Sequence, residues 1–144
     1  MRILTSSWFA DLPPTVQKVG ISRGVPRRYP VGYRRMTELQ PGPWFHSVGA
    51  DEYRRRFMTQ LHHLDAGAVV AKLEELGGGR DVALLCYERP DDSAAWCHRG
   101  LVAAWLHDEL GLDVREFGIE AEGGGHRHPK LHPEWRLRAA SRAE

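Results

Sequence analysis

The sequence predicts a single three-layer α/β domain with a mostly parallel central sheet. Three observations carry this. Val82-Ala83-Leu84-Leu85-Cys86 is an unbroken apolar run; a strand with no polar face must be covered on both sides, as central parallel strands are by helices. From Asp65 to Phe117 the patterns alternate as helix, strand, helix, strand, the signature of βαβ units. The chain has 144 residues, 42% of them hydrophobic, which suits one domain with a real core.

The elements follow in order. Residues 1–9 and 16–22 read as strands, separated by Asp11-Leu12-Pro13-Pro14, whose prolines forbid a continuous helix. The second strand empties into Arg23-Gly24-Val25-Pro26-Arg27-Arg28-Tyr29-Pro30, a loop whose arginines either face solvent or hold an anion. Pro41-Gly42-Pro43 marks another turn. Over residues 51–64, Tyr53, Phe57, Leu61 and Leu64 recur at helical intervals, with Asp51 and Glu52 at the end where the helix dipole favours acids. Asp65 caps a second helix with Val69, Leu73 and Leu76 inside, and Gly77-Gly78-Gly79 ends it. The apolar strand over 81–87 comes next. A helix over 97–110 follows, with Leu101, Trp105 and Leu110 on its inner face and Gly111 as its stop. Residues 112–117 are the return strand. Residues 1–122 thus make the expected domain. Residues 123–144 read as a polar extension, opened by three glycines, anchored by Leu131, Trp135 and Leu137, and helical over part of 134–140.

With 20 basic and 19 acidic residues the formal net charge is +1, which makes no case for a dedicated DNA- or membrane-surface binder. The arginines cluster, however. Arg23, Arg27, Arg28, Arg34, Arg35, Arg54, Arg55 and Arg56 all precede residue 57, so a local positive face is expected on a neutral protein. No apolar segment approaches the roughly 20 residues of a membrane span. The N-terminus lacks the pattern of a signal peptide, and two cysteines do not make a disulfide scaffold. The expected location is the cytoplasm, without a membrane partner.

The chemistry concentrates between Cys86 and Arg99. Cys86 ends the apolar strand, and Glu88, two residues on, falls on its face by strand alternation. Cys97, His98 and Arg99 open the next helix, where unpaired N–H groups carry partial positive charge. That field favours anions and lowers the pKa of a nearby thiol.

These residues also carry a resemblance. Ala83-Leu84-Leu85-Cys86-Tyr87-Glu88, followed by Trp96-Cys97-His98-Arg99-Gly100-Leu101-Val102-Ala103, resembles the signature of the family catalogued as domain of unknown function 488: an apolar strand ending C-x-E, then C-H-R opening a helix. Gly20-Ile21-Ser22-Arg23-Gly24-Val25-Pro26 resembles the first motif of its shorter members; some longer members carry an aspartate where this chain has Ser22. The likeness spans about residues 16–117. It implies a compact α/β domain with a site at Cys86, Glu88, Cys97, His98 and Arg99, joined by Arg23, and implies no activity.

Three functional readings compete. In the leading one, Arg23, Arg27, Arg99 and the helix start bind a phosphate-bearing ligand, a nucleotide or nucleic acid. Tyr87, with Trp96, offers a stacking face, Glu88 and His98 move protons, and Cys97 or Cys86 is a nucleophile. The same residues would equally serve a non-catalytic protein-interaction domain, as a structural ion-pair network. A metal at Cys86, Cys97 and His98 is disfavoured by spacing, because neighbours on a helix point about 100° apart. No cofactor is expected. A redox pair lacks C-x-x-C, and a buried, inert thiol suits Cys86 better. His126, His128 and His132 lie in a segment expected to be solvated.

Overall fold

Residues 82–86 are all buried, and their side chains divide between two clusters. Val82, Leu84 and Cys86 join Ile3 and Val19 under the helices, while Ala83 and Leu85 join Leu4, Trp8, Leu12 and Val16 on the other face. Each fully buried Val or Leu contributes about 1.5–3 kcal/mol, so this strand anchors both halves of the core. The computed structural model describes residues 1–29, 31–92 and 94–137. Five strands, β1 (Ile3–Ser7), β2 (Val16–Gly20), β3 (Arg34–Arg35), β4 (Asp81–Cys86) and β5 (Arg115–Glu116), form one sheet in the order β3-β2-β4-β1-β5. Every strand pairing in it is parallel. Three helices, α1 (Ala50–His62), α2 (Ala66–Gly77) and α3 (His98–Leu110), complete the α/β domain.

The α/β class and the parallel sheet are therefore as expected, but among the described residues helices cover only one face. The crossovers from β3 to β4 and from β4 to β5 run the same way across the sheet. Right-handedness puts both on one face, and Phe57, Leu73 and Leu101, from α1, α2 and α3, share a single cluster there. The connections from β1 to β2 and from β2 to β3 run the opposite way, over the other face. Residues 8–15, with two prolines, are too short for a helix, so the third layer is loop: Trp8, Leu12, Val25, Tyr29 and Tyr33. Trp8 packs edge-on against Tyr29 and Tyr33, at ring separations of 4.8 and 5.4 Å.

Other elements match sequence features. The Asp65 side chain caps α2 by accepting the Ala68 N–H at 3.2 Å. Strand β3 was not anticipated: two exposed arginines at a sheet edge carry no apolar signal.

Helix α3 departs from the expected one-sided stripe. All of residues 98–106 are buried, whereas Leu110 is 44% exposed. The segment after residue 123 supplies the missing cover. A Cβ at Gly100 would stand 2.6 Å from the Leu131 nitrogen, so only a glycine lets that backbone lie against the helix. Leu131 and Trp135 are buried as anchors, Leu137 is exposed, and His128 and Lys130 are buried too. The helix expected over 134–140 is a short 3-10 turn at Pro133–Trp135; residues 138–140 lie outside the described residues. No helix among the described residues is long and apolar enough to cross a membrane.

Candidate functional site

Strands β2 and β4 are neighbours, and both point their C-terminal ends at the N-terminus of α3. A cavity of about 250 Å³ opens there. Ser22, Arg23 and Gly24 line it after β2; Cys86, Tyr87 and Glu88 at the end of β4; Trp96, Cys97 and His98 at the start of α3. Pro41, Phe45 and Tyr53 close it. The sequence thus brought Cys86, Glu88, Cys97, His98, Arg23 and Tyr87 to one place. Arg27 is exposed and is not among the lining residues.

Cys97 is the N-cap of α3, in an extended conformation (φ −152°, ψ 152°), and its N–H donates to the Lys130 carbonyl at 2.8 Å. It stands outside the helix, so the 100° divergence expected between Cys97 and His98 does not apply. The His98 Nδ1 is 3.5 Å from the Cys97 sulfur, and the Cys86 sulfur lies 3.7 Å from both ring nitrogens. The three groups come within 4.8 Å of one another, which removes spacing as an objection to a metal ion. Equal distances from Cys86 to the two nitrogens keep that sulfur off the Nδ1 lone-pair axis. The contact as it stands is therefore packing, not ligation geometry.

The ring is oriented from behind. His98 Nε2 lies 2.8 Å from the Ile21 carbonyl, an acceptor only, so Nε2 carries a proton and Nδ1 faces the sulfur of Cys97. Phe57 packs edge-on to it at 5.3 Å.

Charge separates the two cysteines. Burial pushes the Cys97 thiol up, but the hydrogen bond from Cys86 and the charges of His98 and Arg99 together hold it well below the ordinary cysteine value. Burial and then the adjoining Cys97 push Cys86 well above it. The pair thus favours the thiolate at Cys97, with Cys86 the thiol that donates to it. Burial would lower His98, but the negative Cys97 and the Ile21 carbonyl raise it above the ordinary histidine value, which favours an imidazolium–thiolate pair. Glu88 is pushed up to about 7, first by burial and then by the Cys97 charge. It can therefore give or accept a proton near neutral pH.

Arg99 sits apart from the cavity lining. It is fully buried, and its Nε and Nη2 grip both oxygens of Glu116 at 3.0 and 2.7 Å. Nη2 also donates to the Glu88 carbonyl at 2.7 Å, tying the site loop to the helix, and Nη1 has no hydrogen-bond partner among the described residues. Thr5 Oγ1 donates to Glu116 at 2.8 Å and is 2.6 Å from His128 Nε2. The Lys130 N–H occupies His128 Nδ1 at 3.0 Å, so Nε2–H donates to Thr5. Burial and the Arg99 charge hold His128 down to about 3, so it stays neutral. Lys130 Nζ donates to the carbonyls of Asp92 and Ala95, fixing the loop before Cys97.

Sequence reasoning missed Glu116, Thr5, His128 and Lys130, all polar and all buried. Ser22, at the position of the family's occasional aspartate, accepts the Trp8 indole N–H at 2.9 Å and donates to the Gly24 carbonyl at 2.6 Å.

A family model described as DUF488-N3a, active DUF488-N3 subclade, matches residues 12–110, more than half of the chain. No curated protein and no solved structure matches significantly.

Proposed function

The chain belongs to the DUF488 family, and on that premise we propose that it is a small enzyme using Cys97 as nucleophile on a phosphate-bearing ligand such as a nucleotide or nucleic-acid end. The observation that carries this reading is the Cys97–His98 pair in one cavity with a carboxyl that titrates near 7. Such a trio supplies a nucleophile, a group that holds it ionised, and a proton donor. The Cys97 thiolate attacks the electrophilic centre of the ligand as the bond to the leaving group breaks, and the Glu88 carboxyl gives its proton to that group. The Glu88 carboxylate then takes a proton from a water whose oxygen displaces Cys97. Thiolate and protonated Glu88 are restored, and the sum is hydrolysis.

Arg23 is the guanidinium of the cavity lining, held at its rim by a 3.1 Å hydrogen bond to the Pro41 carbonyl, and it is the expected phosphate contact. Phe45 and Tyr87 line the cavity with 39% of their surface exposed, offering stacking faces. A volume of about 250 Å³ is at the small end for ligand pockets, so only the reacting end enters.

The structural-network reading fits one part of the motif. Arg99, with both faces of its guanidinium plane enclosed and its partner Glu116 equally buried, belongs to the fold.

Thermal-shift measurements with inorganic phosphate, a nucleoside monophosphate and a short single-stranded oligonucleotide test the ligand class. We expect one or more to stabilise the wild type and Arg23→Ala to lose the response. No response to any of the three would refute the ligand class.

A further inference from the structure

A second set of metal-ligating side chains lies at the far end of α3, away from the cavity. His107 and Asp108 are neighbours in its last turns, where side chains diverge by about 100°, yet their ligand atoms approach to 3.7 Å, and His126 belongs to the short turn at Gly125–Arg127. His126 Nε2 is 2.7 Å from Asp108 Oδ1, and His107 Nδ1 is 3.7 Å from the same oxygen. One ligand atom from each lies within 4.8 Å of the others. The geometry points to a divalent transition-metal site formed by His107, Asp108 and His126, which clamps the C-terminal segment onto α3.

Several features make the arrangement more than a chance meeting. Around a tetrahedral ion with nitrogen and oxygen ligands at about 2.1 Å, neighbouring ligand atoms stand about 3.4 Å apart. The separations of 2.7 and 3.7 Å bracket that value. Small side-chain rotations reach it, because all three residues are at least 36% exposed on their side chains. The backbone is held closer than the side chains. Gly125 has φ +56°, and a Cβ there would come within 3.1 Å of the His107 ring, so a glycine lets the turn carrying His126 lie against His107. Asp108 and His126 also line a groove of about 610 Å³ with His62 and Asp51, so solvent or a further ligand can complete the coordination.

Two imidazoles and one carboxylate select zinc, nickel or copper over magnesium or calcium, which take oxygen ligands. The site is independent of the reaction proposed for Cys97. It bears on the fold because the segment it clamps runs directly into His128 and Lys130, which support the start of α3.

The test is calorimetric titration of ZnCl₂ into the wild type, His126→Ala and Asp108→Asn, with MgCl₂ as the second titrant. We expect zinc binding to the wild type and weakening by more than about tenfold in each variant, since even outer-shell partners of a ligand cost that much. Magnesium should give no binding. Histidine ring NMR of the wild type identifies the ligands directly: zinc should move the signals of His107 and His126. Equal zinc affinity in all three proteins, an equal response to magnesium, or ring shifts confined to His98 would overturn the assignment.

Discussion

Arg99 and Glu116, 17 residues apart, meet in a two-pronged ion pair with neither side chain exposed to solvent. One opens α3 and the other ends the edge strand β5, so the pair fastens the helix carrying the site to the last strand. Thr5, His128 and the Glu88 carbonyl complete its surroundings. Truncating one partner leaves a buried charge uncompensated, which costs about 3–5 kcal/mol. Arg99→Ala and Glu116→Gln are each expected to lose that much in urea denaturation. A loss under about 1 kcal/mol would place the pair at a solvated surface.

Gly100 carries an expectation opposite to helix propensity. Alanine inside a helix is ordinarily better than glycine by about 1 kcal/mol. Here the added Cβ would meet the backbone of Lys130 and Leu131 at 2.6–2.7 Å, and backbone cannot rotate away. Gly100→Ala should therefore destabilise, by about 1–3 kcal/mol, read as a lower denaturation midpoint. A neutral or stabilising effect would mean that the C-terminal segment does not pack on α3.

Glu88 gives stability a definite pH slope. Its pKa in the fold, about 7, lies above the ordinary carboxyl value of 4.5, so the folded state binds its proton more tightly than the unfolded state. Its favourable contribution is complete below about pH 4.5 and is lost as pH rises to about 7. Glu88→Gln, which cannot ionise, should flatten this segment of the stability–pH curve and be more stable than the wild type above pH 7, relative to their difference at pH 4.5. A carboxyl titration by NMR would show the midpoint directly. In Cys97→Ser, losing the second of its two main causes, that midpoint should fall part of the way back.

His128 works in the opposite pH direction from a surface histidine. Held down to about 3 by burial and by Arg99, it is neutral in the fold and gains a proton on unfolding in acid. Stability from this group is fully present above about pH 6.5 and falls as pH drops towards 3. His128→Gln should reduce the acid sensitivity of the fold between those values. An unchanged acid limb would contradict its neutral, buried role.

Much of this was written in the sequence. The apolar run ending at Cys86 and the helix opening at Cys97 are strong local signals, and they brought Cys86, Glu88, Cys97 and His98 together. Cys97 escapes the 100° divergence of helical neighbours because it is not helical: its extended N-cap backbone turns the sulfur towards His98. The return strand over 112–117 was legible, but nothing in it marks Glu116 as interior; pairing with β1 and the ion pair with Arg99 bury it. His128 and Lys130 were hidden for a related reason. They are polar residues in a glycine-led segment, and they become interior only once that segment lies across the glycine of α3. Among the described residues the second sheet face lacks helices because the direction of each crossover, not the composition of β4, decides which face it covers.

The central claim is that Cys97 is a thiolate held by His98 and by the Cys86 thiol. Ultraviolet absorbance of the thiolate, followed against pH in the wild type, Cys97→Ser and His98→Ala, tests it most directly. The wild type should show one thiolate titrating well below the ordinary cysteine value of about 8.5, absent in Cys97→Ser and moved upward in His98→Ala. Thiolate absorbance that rises only at or above that value in the wild type would contradict the account.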